Sequence, residues 1–270
     1  MIEARNIKVT LGKTEILHGL DFFAKAGELT AIIGPNGSGK TTLLKAMIGE
    51  HAYSGSVTMN GINIANLKPW QFATMRAVLP QATTLSFPFT VREIVRLGLT
   101  TGISGDSGVP LEELPDLALE KVNLPGFAGR FYGELSGGEQ QRVQLARVLC
   151  QVWEPILDGQ PRWLFLDEPV SSLDIQHQLG IMKLARDYAE CGGGVIAVMH
   201  DLNLTAMFAD NVHIMREGKI AASGPPQKAI NTKTLSGVFG CDLKVSATPP
   251  EGVVFVLPQS TLDAGDSLAQ

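Results

Sequence analysis

The chain has 270 residues, with 22 Lys and Arg against 27 Asp and Glu, a formal net charge of −5. With 44% hydrophobic residues and 29 glycines, it reads as a folded α/β chain, long enough for one large domain or a domain with a smaller lobe. The acidic balance argues against a nucleic-acid partner, which needs a basic footprint, and no run approaches the roughly 18 to 20 apolar residues that cross a bilayer. The opening MIEARNIKVT lacks a basic stretch followed by an apolar one, so a cytoplasmic location is expected. Cys150, Cys191 and Cys241 stand far apart without metal-ligand spacing and are expected as free thiols, buried or half-buried.

In chain order, alternating residues at 2–10 and 20–24 predict strands of a small antiparallel sheet. A short apolar run at 29–33 leads into GPNGSGKTT and then Leu43, Leu44, Met47 and Ile48 at helical spacing: strand, glycine loop, helix. Residues 57–59 and 62–64 flank Asn60-Gly61, which suits a tight two-residue hairpin turn. From about 81 to 150 the chain turns helical, broken by Gly, Pro and Ser. Thr90 with Glu93 makes a capping-box pattern before Ile94, Val95 and Leu97, and Ser136 with Glu139 repeats it before Val143, Leu145, Ala146 and Leu149. Buried strands are expected again at 163–166 and 195–199, then a short apolar run at 253–257 and a frayed polar tail.

Gly34, Pro35, Asn36, Gly37, Ser38, Gly39, Lys40 and Thr41, with Thr42 after them, satisfy G-x-x-x-x-G-K-[ST] in the strand-to-helix setting this motif requires. Glycines let backbone N–H groups turn inward around phosphate oxygens, and the helix starting near Lys40 adds the positive end of its dipole. Lys40 is expected to reach the β and γ phosphates and the Thr41 hydroxyl to ligate Mg2+. The run Trp163, Leu164, Phe165, Leu166 ending in Asp167 and Glu168 supplies carboxylates at the carboxyl end of a core strand, where open α/β sheets bind ligands. Asp167 suits the metal and Glu168 the activation of a water.

Downstream, Leu135, Ser136, Gly137, Gly138, Glu139 and Gln140 resemble the LSGGQ-type signature of ABC ATPases, with Glu in the fifth position. Gln81 stands where that family has its Q-loop, Ser171-Ser172-Leu173-Asp174 where it has its D-loop, and His200 where it has its switch histidine. The resemblance implies a P-loop NTPase core with a small antiparallel β subdomain and an inserted helical subdomain. Residues 1–245 would form the ATPase domain, with 1–80 and 151–245 as nucleotide-binding core, 81–150 as helical subdomain, and 246–270 as a tail.

The same resemblance assigns roles: Glu168 as general base, His200 on the γ-phosphate, and Gln81 as metal and nucleotide sensor, so that Thr41, Gln81 and Asp167 surround Mg2+. The signature segment would cover ATP bound to a second subunit, and Asp174 would reach the partner's phosphate loop. It implies a homodimer joined to two transmembrane permease subunits and served by a periplasmic binding protein, at the cytoplasmic face of the inner membrane, with no nucleic acid. One departure is Leu11, where many relatives place an aromatic residue against adenine.

Residues 86–95 are similar to the branch that imports haem, ferric siderophores and cobalamin; residues 151–162 and 191–204 resemble its haem-importing members. Haem is therefore the expected cargo, ahead of siderophore or cobalamin. The scattered His18, His51, His177 and His213 are expected as surface or core histidines, not haem ligands. A soluble ABC ATPase acting on the ribosome or DNA would call for a second phosphate loop or a long heptad run, and neither occurs.

Overall fold

The computed structural model describes residues 1–81, 87–101 and 108–261. Ser86, in the segment used for the branch resemblance, and the last nine residues of the expected tail lie outside them.

Strand β1 (Ile2–Leu11) folds back onto β2 (Thr14–Ala24), Ile2 opposite Ala24 and Leu11 opposite Thr14. Their alternation buries Ile2, Ala4, Val9, Leu20, Phe22 and Ala24 on one face. The all-buried β3 (Leu29–Ile33) delivers the chain to the glycine loop and α1 (Lys40–Met47). Next, β4 (Ser54–Met59) pairs with β1 and, through Asn60 and Gly61 at φ 53° and 79°, with β5 (Ile62–Asn63). This is the expected primed hairpin turn, and it completes a sheet of order β2-β1-β4-β5. A short helix, α2 (Pro69–Met75), opens with Pro69 at its first position and leads directly into β6 (Arg76–Leu79).

The middle of the chain forms α3 (Val91–Thr101), α4 (Leu114–Lys121) and α5 (Gly137–Gln151), with α3 and α4 both packed on α5. Both capping boxes are present: Glu93 accepts from the Thr90 amide and hydroxyl, and Glu139 from those of Ser136. The buried face of α3 is Val91, Ile94 and Val95; Leu97, expected with them, is 43% exposed. Its place on that face belongs to Gly98, where a Cβ would lie 2.1 Å from the Arg147 carbonyl oxygen. Ile94 and Val95 lie on the expected face, and Leu97 alone is displaced from it, in favour of a residue without a side chain.

A small hairpin, β7 (Ile156–Leu157) with β8 (Gln160–Pro161), lies within residues 151–162. It leads to β9 (Trp163–Asp167), α6 (Ile175–Glu190), β10 (Gly194–Val198), α7 (Leu202–Phe208), β11 (Asn211–Arg216), β12 (Lys219–Gly224), α8 (Pro226–Ala229) and α9 (Thr232–Phe239). The central sheet runs β12-β11-β3-β10-β9-β6, parallel except for β12. Its non-consecutive neighbours bring the carboxyl ends of β3, β10 and β9 side by side.

One continuous apolar core joins this sheet (Leu29, Leu164, Val195) to the three-helix lobe (Val95, Leu145), and a second lies beneath the antiparallel sheet around Ile2, Phe22, Leu43 and Trp163. The lobe therefore shares its core with the sheet. Cys150 is buried, whereas Cys191 and Cys241 are exposed, contrary to the expectation of buried or half-buried thiols for all three. His213 is a core residue, packed on Phe22 with its Nε2 against the Phe23 carbonyl oxygen at 2.9 Å. Residues 253–257 are apolar yet exposed and form no strand; Val254 is 91% exposed.

Candidate nucleotide site

The glycine loop is wound around its own lysine. Lys40 is 6% exposed and its Nζ donates to the carbonyl oxygens of Gly34 at 2.9 Å and Pro35 at 3.2 Å. Gly34, at φ 151°, passes so close to β11 that a Cβ there would sit 2.2 Å from the Met215 carbonyl oxygen, so only glycine fits. Gly39 caps α1 without a side-chain acceptor, which leaves the first-turn amides open to an anion. The buried Ser38 hydroxyl also has no hydrogen-bond partner. Burial pushes the Lys40 ammonium below its ordinary value, opposed by the carboxylates of Glu168 and Asp167. An anionic ligand here would relieve each of these unmet demands.

From the facing strand, Asp167 Oδ1 accepts the Thr41 hydroxyl at 3.1 Å. Burial raises the Asp167 carboxyl above its usual range, partly offset by this hydrogen bond from Thr41. Paired hydroxyl and carboxylate oxygens at this spacing are the hard donors Mg2+ prefers, and the Gln81 amide nearby adds a further oxygen type suited to it. These residues fit the metal.

Glu168 has φ 53°, a left-handed conformation uncommon for a residue with a side chain. Hydrogen bonds hold it there: its N–H donates to Val198 O at 3.1 Å, and its carbonyl accepts from Gln141 Nε2 at 3.1 Å and Ser171 Oγ at 3.2 Å. The turn aims the carboxylate at two partners. Oε2 accepts from Gln81 Nε2 at 2.8 Å, and Oε1 lies 2.5 Å from His200 Nε2. A cleft of about 560 Å3 is lined by Lys40, Thr41, Gln81, Glu168 and His200, together with Ile16. Residues from five separate segments thus converge on one space.

The signature residues line no part of that cleft. Ser136 caps α5, its hydroxyl donating to Glu139 Oε2 at 2.8 Å and accepting from the Glu139 amide at 3.4 Å. Hydrogen bonds from Ser136 hold the Glu139 carboxyl below its usual range. Ser136 and Gly137 are exposed, while Leu135 is buried beneath them. Gln140 turns back to brace the segment through the carbonyls of Tyr132 at 3.2 Å and Leu135 at 3.1 Å. Asp174 caps α6, accepting from His177 N at 3.0 Å. A smaller recess of about 190 Å3 brings Gly137, Gln140 and Ser172 together with Gln81, which thereby lies between the two surfaces.

Two contributors escaped the sequence reading. Gln141 sits in the apolar-periodic stretch of α5 and no motif marks it. Ile16 lines the cleft from β2, whereas Leu11, the position questioned for base contact, is 42% exposed at the end of β1.

The ABC transporter family profile matches residues 17–171. A hemin import ATP-binding protein of Mesorhizobium japonicum is 60% identical over 264 residues, covering 97% of this chain and all of that protein. One from Jannaschia sp. is 58% identical, covering 96% and 94%. Among solved structures, a bacterial ABC transporter cassette determined as a dimer superposes with a TM-score of 0.71 at 27% identity, over 84% of this chain and 99% of that one. A glycine loop curled round a buried lysine, carboxylates on the adjacent strand and this likeness along the whole chain lead to one conclusion: the protein belongs to the ABC transporter family, among its ATP-binding subunits.

Proposed function

We propose that the chain hydrolyses ATP to drive haem import, working as a homodimer on two transmembrane permease subunits at the cytoplasmic face of the inner membrane, with a periplasmic binding protein delivering the cargo. The observation that carries the catalytic part is the Glu168 carboxylate, fixed between Gln81 and His200 beside Lys40 and Thr41.

Phosphates entering the loop take over the Lys40 ammonium from the carbonyls of Gly34 and Pro35, and the amides from Gly37 to Thr42 with the Ser38 hydroxyl hold their oxygens. Thr41, Asp167 and Gln81 would hold Mg2+, which would supply neutralisation of phosphate charge. Glu168 Oε2 or Oε1 accepts a proton from the attacking water, and His200 Nε2, which holds that carboxylate before nucleotide enters, donates to the γ-phosphate once it is bound. Both contacts of Glu168 give way to water and phosphate as the site fills, so Gln81 and His200 report on the nucleotide.

Each chain has one phosphate loop and one signature segment, on separate surfaces. A second copy that turns Ser136, Gly137 and Gly138 toward the first copy's cleft, with Asp174 alongside, makes two complete sites from two half-sites. We take residues 1–245 as the ATPase domain, with 1–80 and 151–245 as its core, 81–150 as its helical lobe and 246–270 as a tail. The permease would dock on the lobe near residues 81–95, where Phe87 is 73% exposed.

Haem as cargo rests on the likeness to hemin import ATP-binding proteins across almost the full length of both chains. Reconstitution with the cognate permease tests it: haem uptake should require ATP. Uptake of a ferric siderophore or cobalamin with no response to haem would overturn the cargo and leave the ATPase standing.

A further inference from the structure

The signature segment and the base belong to different nucleotide sites in the proposed dimer, yet within one chain they are joined by a single side chain. Gln141 is the fifth residue of α5, the helix that Ser136 caps and that begins with the exposed Gly137. Its Nε2 donates to the Glu168 carbonyl oxygen at 3.1 Å, and its Oε1 is buried without a partner. Glu168 is left-handed at φ 53°, a conformation that persists only where its surroundings over-determine it. Among the described residues, two side chains hold its carbonyl, Gln141 and Ser171, the latter with its own backbone N–H at 3.4 Å, and Gln141 is the one that stands on α5.

We infer that Gln141 is a positioning residue that ties the strained Glu168 peptide to the signature helix, so that occupancy of the signature end in one site sets the aim of the base in the other. The chain of force is short: a phosphate held at Ser136 and Gly137 shifts α5, α5 carries Gln141, and Gln141 carries the Glu168 carbonyl. Rotation of that peptide swings the carboxylate relative to Gln81 and His200. The inference rests on Glu168 being the base and on the dimer having two composite sites.

The test is steady-state ATP hydrolysis by the full-length chain carrying Gln141→Met, which keeps volume and removes the donor. Turnover should fall about tenfold with KM for ATP within about twofold, because the lost interaction acts in the transition state. The Hill coefficient for ATP should drop toward about 1, because the two sites lose their link. Gln141→Glu, isosteric and without the N–H, should behave alike and serves if the methionine variant folds poorly. Ser171→Ala, which removes the other side-chain hold on the same carbonyl from outside α5 and leaves the Ser171 backbone N–H in place, should lower turnover and leave the Hill coefficient unchanged. A merely structural Gln141 would lower the melting temperature and leave both turnover and Hill coefficient as they were; that result overturns the inference. Glu168→Gln separates the two readings: normal turnover there sinks the base assignment itself, whereas its loss beside an unaltered Gln141→Met sinks only the coupling.

Discussion

Lys40 spends its charge on two carbonyls of its own loop, contacts that a phosphate replaces with stronger, charge-assisted ones. Lys40→Ala should weaken ATP binding by about 1.5 to 3 kcal/mol, roughly 10- to 100-fold, as read by titration calorimetry. Glu168→Gln should keep ATP affinity and lower phosphate release roughly 10²- to 10⁴-fold. A third prediction concerns Cys150, whose thiol burial pushes up to about 12. A native chain should take up two equivalents of iodoacetamide, at Cys191 and Cys241, and a third only in denaturant; early reaction at Cys150 would refute its burial. At this scale Lys40, Asp167 and Glu168 are legible in the sequence because each sits in a spacing that chemistry demands. Gln141 is not, because its task depends on a helix and a strand end meeting across 27 residues of chain, and nothing local records that.

The signature helix shows how an element can be both built and poised by one residue. Ser136 caps α5 and at the same time holds Glu139, whose carboxyl lies below its ordinary value of 4.5. Ser136→Ala should cost about 1 kcal/mol of stability at neutral pH. A depressed carboxylate stabilises the fold above its unfolded value and loses that contribution as pH falls through the folded one. The penalty of Ser136→Ala should therefore shrink as the pH falls below the ordinary glutamate value and on through the lower folded one, a trend that melting curves at several pH values would show. For α3, Gly98→Ala should destabilise by about 1 to 3 kcal/mol, since its methyl would meet a backbone carbonyl at 2.1 Å. Capping boxes were readable because both partners lie three residues apart. The place of Gly98 on the buried side of α3, beside the expected Ile94 and Val95, was not, since hydrophobic periodicity gives no weight to a glycine.

Across the whole molecule, the glycine loop and the two carboxylates are 126 residues apart in sequence between Thr41 and Asp167. Strand order alone joins them, by setting β3, β10 and β9 side by side. That arrangement follows from buried five-residue strands alternating with helices, which the sequence displays. The later pieces β11, β12, α8 and α9 carry no motif and escaped notice, although they close the sheet edge. The same geometry keeps the signature segment out of the lining of its own cleft, and this is why two copies are required. The most direct measurement is light scattering of the Glu168→Gln chain with and without Mg2+ and ATP. The account predicts twice the monomer mass with ATP and the monomer mass without it, and no ATP-dependent dimer when Ser136 is also replaced by a bulky charged residue. A Glu168→Gln chain that binds Mg2+ and ATP yet keeps the monomer mass would contradict it.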